Sequence, residues 1–227
     1  MSRLTDVFDD WVEIVRECYV SAGICTDEQI AANPGASEEE LEELEREIGH
    51  PLAPEVRELY QHANGMDHSV MDGIGIEIFP GQMSFFPIDQ PRSNRRSVLN
   101  LIDIIRAEAP HGALGPSGLP LLPYALFESD AGQVYVECSK TGAGAVSFIF
   151  YGDTRFYWVA RSLTSYLEIQ VEAFRNGGIT WDAQAAARFK VIIDSDYAIG
   201  ARQAGELTAE QASDRRFTSN GEWRWPE

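Results

Sequence analysis

Within 227 residues, a 44% hydrophobic and 11% aromatic content is enough to bury a core, which excludes a globally disordered chain. The 36 acidic against 18 basic residues give a formal net charge of −18, a field that repels nucleic-acid phosphates and bilayer surfaces and attracts basic proteins. No stretch approaches the ~18 consecutive apolar residues of a membrane span, and the start Met1–Asp6 lacks the basic and then apolar run of a signal peptide. Cys18, Cys25 and Cys138 include no C-x-x-C pair, so neither a disulfide framework nor a thiolate metal site is expected, and the expected location is cytoplasmic.

Residues 4–19 carry Leu4, Val7, Phe8, Trp11, Ile14, Val15, Cys18 and Tyr19 at i, i+3, i+4, i+7 spacing, with acids opposite. That spacing predicts an amphipathic helix with Cys18 as a small core residue. Ser21 to Gly35, with Asn33-Pro34-Gly35, reads as a loop. Ser37 and Glu40 form a capping box that starts a second helix, with Leu41, Leu44 and Ile48 as its buried stripe and Gly49 as its stop. Pro54 suits the first turn of a third helix bearing Val56, Leu59, Tyr60 and Ala63, with Asn64-Gly65 read as a left-handed cap.

The period then changes. Ile74, Ile76 and Ile78 alternate as in a strand, and Ser97 is placed to cap a helix carrying Val98, Leu101, Ile102 and Ile105. The runs 119–127, 133–138, 146–151 and 156–160 are β-branched or aromatic and separated by turn residues, which predicts an antiparallel meander. Ser162 caps a helix with Leu163, Tyr166, Leu167, Val171 and Phe174 inward, ended by Gly177-Gly178. Residues 181–193 read as helical, and Thr208 with Gln211 is a further possible capping box.

The pattern over 37–176 resembles the SUKH superfamily. Ser37-x-x-Glu40-Leu41-x-x-Leu44-Glu45, then Ile48-Gly49-x-x-Leu52-x-Pro54-x-x-Arg57-x-Leu59-Tyr60-x-x-x-Asn64-Gly65, is similar to its opening helix pair. Leu122-Pro123-Tyr124-Ala125 with Gly132-Gln133-Val134-Tyr135-Val136 is similar to its central strands. Val146–Asp153 is similar to the strand before the last hairpin, and Ala160-Arg161-Ser162-Leu163-x-x-Tyr166-Leu167 to the closing junction. Gln133 departs from the pattern, since the family often carries Asp there. The resemblance implies an α+β fold in which N-terminal helices pack on a bent, mainly antiparallel sheet with a closing helix. It divides the chain into a helix-and-loop extension (1–36), a SUKH-like domain (37–178) and a C-terminal helical extension and tail (179–227). It also implies a non-catalytic binding protein, with no cofactor, of the kind that blocks a cognate toxin.

Constellations of chemical residues give no motif for catalysis. His62, Asp67, His68 and Asp72 supply zinc-type ligands, but without the paired spacing of a structural site. Gly115-Pro116-Ser117-Gly118 lacks the strand-turn-helix setting of a nucleophile elbow. Lys140-Thr141-Gly142-Ala143-Gly144 has its lysine on the wrong side of the glycines for a phosphate loop. Glu128-Ser129-Asp130 and Asp194-Ser195-Asp196 pair carboxylates in loops, and His111 stands alone. Phe85, Phe86, Tyr151, Phe156, Tyr157 and Trp158 read mostly as core at strand spacing.

Charge points further. Residues 1–90 hold 20 acidic against 4 basic residues, a net of −16. Glu39, Glu42, Glu43 and Glu47 point away from the buried stripe of the second helix, and Asp67 and Asp72 follow the third. These six residues are the candidate partner-binding set, facing a cognate toxin or other basic protein, with nucleic acid and membrane excluded as partners. Alternatives are a solvated face that serves solubility, a regulatory scaffold binding a host protein, and an unrecognised hydrolase or metal enzyme.

Overall fold

The structure is a computed structural model, and it describes residues 2–26, 30–66, 84–89, 123–128, 132–138, 144–150, 156–182 and 188–191. Four helices occur among them: α1 (Arg3–Ser21), α2 (Glu38–Ile48), α3 (Pro54–His62) and α4 (Leu163–Arg175). Each starts where its sequence satisfies the first free amides or removes one. Ser2 accepts from the Thr5 amide, Ser37 and Glu40 form the reciprocal box, Pro54 opens α3, and Ser162 accepts from Ser165. Gly49, at φ 81°, closes α2 in the left-handed region.

Five strands form one antiparallel sheet in the order β3 (Ser84–Phe85), β4 (Pro123–Glu128), β5 (Gly132–Glu137), β6 (Val146–Phe150) and β7 (Phe156–Ala160). Register irregularities at Ala125/Phe127 and Val146/Ser147 bend it. This is the α+β class expected, with the meander and its closing helix in place. β5 is buried along its whole length, so both of its faces are covered. Val134 and Val136 join the helical core, while Gln133, Tyr135 and Glu137 alternate to the other face. Gln133 is fully buried, and its amide oxygen accepts the Tyr135 hydroxyl. A neutral amide here adds no second carboxylate to a face that already buries Glu137.

The core is one cluster fed by every helix and by the sheet. An aromatic run threads it: Phe8 packs edge-on to Phe85 at 5.7 Å, Phe85 meets Tyr60 at 5.3 Å and Phe127 at 5.5 Å, and Phe127 stacks on Tyr166 at 6.0 Å. The Tyr60 hydroxyl donates to the Phe86 carbonyl at 3.3 Å and lies 3.2 Å from the Tyr124 hydroxyl.

Three expectations need correction. Residues 21–35 are not all loop, because β1 (Ala32–Pro34) pairs antiparallel with β2 (Ala63–Met66). Asn64-Gly65 is not a helix cap, since α3 ends at His62 and Ala63 is already extended. Gly65 does take φ +75°, but for a chain crossing, where a Cβ would lie 2.3 Å from the Pro87 nitrogen. Asn64 fixes that crossing by accepting the Ile88 amide at 2.9 Å. The stretch 181–193 is not a helix: β8 (Ile179–Asp182) pairs with β9 (Arg188–Val191) as a hairpin. Residues 183–187 are alanine-rich, a composition that favours helix, whereas Ile179 docks in the core and Trp181 lies 4.5 Å from Tyr19. Tertiary packing overrides propensity here. The strand expected at 74–79, the Ser97 helix and the Thr208 box lie outside the described residues.

Gly65 provides a direct check on the crossing. Gly65→Ala should lower stability in urea by about 3 kcal/mol with an unchanged m-value, from strain plus overlap with backbone. Gly23 has φ +70° but open space around it. Gly23→Ala should therefore cost only about 1 kcal/mol, the left-handed penalty alone.

Candidate functional site

Helix α2 carries glutamate at seven of its 11 positions, and the fold sorts them into two groups. Leu41 and Leu44 bury the inner stripe. Glu40 is consumed by the cap, its carboxylate accepting the Ser37 amide and hydroxyl, each at 2.7 Å. Glu45 accepts Arg57 Nη1 at 2.9 Å and the Leu52 amide at 3.0 Å. Glu38 accepts Arg57 Nη2, and Gln61 Nε2 donates to it at 2.9 Å. One guanidinium on α3 thus holds two carboxylates of α2 in a fork geometry.

Glu39, Glu42, Glu43 and Glu47 remain on the outer side of α2, and all four are exposed. The structure brings these four together on one helix face, as their spacing implied. Arg46, the only cation of α2, lies in its last turn. Asp67 and Asp72 lie outside the described residues.

A second row of acids lies opposite the buried stripe of α1, as its sequence implied, although these residues were not among the candidate partner-binding set. Asp6, Asp9, Asp10, Glu13 and Glu17 are all exposed along α1. Their i, i+3, i+4, i+7, i+11 spacing is the complement of the buried stripe, so the information was present in the sequence. Asp9 Oδ1 lies 2.7 Å from His62 Nε2 and Asp10 pairs with Arg175 at 3.3 Å, which ties α1 to α3 and α4. Arg16 pairs with Glu13, and Arg3 with Glu168 of α4.

The structure places other candidate groups as follows. His62 is turned to Asp9, and its possible co-ligands Asp67, His68 and Asp72 lie outside the described residues. Among the described residues, no group of three or more His, Cys, Asp or Glu side chains is placed to hold a metal. The segments 115–118, 140–143 and 194–196, with His111, Ser129 and Asp130, also lie outside the described residues. Phe85 is buried as expected. No helix among the described residues is long and apolar enough to cross a membrane.

The thiols differ by environment. Burial pushes the Cys138 thiol up to about 12, the Ala53 amide opposing as a donor to its sulfur at 3.2 Å. Burial, with neighbouring Glu17, pushes Cys18 up to about 11. Neither is a nucleophile near neutral pH. A thiol-reactive chromophore at pH 8 should modify one cysteine per native chain rapidly, the half-buried Cys25, and all three only after denaturant is added.

The α2–α3 clamp also sets a pH dependence. The Arg57 hydrogen bond holds the Glu38 carboxyl below its ordinary value of 4.5, and the Ser37 amide does the same for Glu40. A depressed carboxyl adds stability above its unfolded value and loses it as pH falls through the folded one. Stability should therefore drop as pH falls from about 5 toward 3. Arg57→Met, which keeps the shaft but not the charge, should flatten that acid limb in urea titrations, and an unchanged limb would show that the clamp is not its source.

Residues 35–169 match the model of the SMI1 / KNR4 family (SUKH-1). No curated protein matches the chain. The family match covers well over half of the 227 residues, and the chain belongs to that family.

Proposed function

We propose that this SMI1/KNR4-family chain is a non-catalytic, cofactor-free binding protein of the immunity type, which neutralises a basic toxin, nuclease-like in its charge, in the cytoplasm. Residues 37–178 are the binding domain in this reading, with 1–36 and 179–227 as its extensions. The observation that carries it is the partition of charge on α2. Arg57 is spent on the inner glutamates, while Glu39, Glu42, Glu43 and Glu47 face solvent on a helix clamped to the core.

A rigid acidic face of this kind complements the phosphate-binding groove of a nuclease, and it steers encounter through the long-range field. Asp67 and Asp72 extend the same proposed set. If the gene beside its own encodes a basic protein that kills cells, co-expression of the wild-type chain should restore their growth. No rescue, with retained binding to a host protein, would replace this reading with the regulatory scaffold.

Glu39→Lys, Glu42→Lys and Glu43→Lys combined should slow association with that protein about tenfold at low salt and flatten its salt dependence. The thermal midpoint should be kept, since none of the three lies in the buried stripe. Stopped-flow association across a salt series checks this, and an unchanged on-rate would mean that the face is only solvated.

A further inference from the structure

A groove of about 510 Å³ runs along the C-terminal half of α1 beside the end of α4. Ile14, Val20 and Phe174 are its partly exposed apolar lining, and Cys18 is the buried sulfur beneath them. Glu13 and Glu17 stand exposed among the lining residues. Glu13 shares Arg16, whereas Glu17 has no ion pair among the described residues. The last turn of α1 has no basic residue, so the negative end of the helix adds to the same field. This size suits a few side chains rather than a whole helix.

We propose that this groove docks a basic amphipathic segment of the partner, whose apolar side chains sit on Ile14, Val20 and Phe174 while a lysine or arginine meets Glu17. The inference rests on the reading of the partner as a basic protein. Charge complementarity selects the occupant: a second copy of this chain would bring another −18 to an acidic rim. An apolar lining beneath a carboxylate with no ion pair among the described residues also fits the long methylene stems of Lys and Arg, which bury carbon while the charge stays at the rim. Arg16, which also lines the groove, is taken up by Glu13. Together with the outer face of α2, the groove would give the partner two separate contacts, one electrostatic and one with an apolar anchor.

The test uses full-length protein and a labelled 14-residue Leu/Lys peptide of helical spacing. Its controls are a Ser/Lys peptide of equal charge and a Leu/Glu peptide. Fluorescence anisotropy at 0.15 M salt should show the Leu/Lys peptide binding at least tenfold more tightly than the Ser/Lys peptide, and no binding of Leu/Glu. Glu17→Lys, at an exposed position outside the core, should weaken Leu/Lys binding at least fivefold with an unchanged melting curve. Ile14→Ser should weaken it similarly, and the combined lysine substitutions at Glu39, Glu42 and Glu43 by less than twofold. No Leu/Lys binding, equal binding of the Ser/Lys peptide, or indifference to Glu17→Lys would overturn the proposal. If the peptide results hold while co-expression gives no rescue, the groove stands and the immunity reading falls. Rescue with failed peptide binding removes the groove alone.

Discussion

Helix α3 is only nine residues long, yet the surrounding layers are fastened to it by specific polar contacts as well as by packing. Arg57 grips Glu38 and Glu45 of α2, and His62 meets Asp9 of α1. The Glu55 carboxylate accepts the Leu163 amide at 2.6 Å and the Thr164 hydroxyl at 2.7 Å, so it serves as a second cap on α4. Its charge also lies at the favourable end of the α4 dipole. On the inner side, Tyr60 reaches the Tyr124 hydroxyl in the sheet. Even the backbone of α3 is used. The Ala36 amide donates to the Tyr60 carbonyl at 2.7 Å, and a Cβ on Gly35 would lie 1.8 Å from the Gln61 carbonyl oxygen. Only glycine lets the chain approach that closely.

This arrangement explains where three of the four arginines of the first 90 positions go, together with His62, while Arg46 is exposed in the last turn of α2. Arg57 and His62 point at carboxylates within the fold, Arg3 reaches α4, and Arg16 reaches its neighbour Glu13. Partly exposed pairs of this kind add little to stability, because solvent screens them and ordering long side chains costs entropy. Their larger effect is geometric. They fix the helices that carry the acids, and they keep Arg57 on the inner side of α2, away from the exposed outer carboxylates. A preorganised acidic surface loses less entropy on binding than one that must be assembled.

How much of this the sequence could reveal depended on the range of the interaction that decides each element. Caps and stripes are local, so Ser37 with Glu40, Gly49, Pro54 and Ser162 could be read directly, and so could the outward set on α2. The meander strands were legible through their β-branched runs and turns. What escaped was decided at a distance. Gly65 carries a positive φ that looks like a helix cap, but the reason for it is the backbone of Phe86-Pro87 lying across it. The β8–β9 hairpin depends on Trp181 meeting Tyr19, 162 positions earlier in the chain, and no local period encodes that contact. The binding of Glu38 and Glu45 by Arg57 was equally invisible, although all three residues stood in plain view.

The division of labour on α2 has a consequence for specificity. Leu41 and Leu44, which bury the helix, and the outward Glu39, Glu43 and Glu47 occupy different sides of it, with Glu38, Glu42 and Glu45 along the boundary between them. Outer positions can therefore change charge without touching the clamp or the core, since exposed substitutions away from such features usually move stability by about 0.5 kcal/mol or less. A binding protein that must match one partner and reject its relatives needs this freedom, because discrimination comes from misplaced charges as much as from matched ones. The same frame can then carry different recognition surfaces while its fold stays constant. In the proposed reading the acidic face of Glu39, Glu42, Glu43 and Glu47 is one setting of such a surface, and the packing beneath it does not depend on the choice.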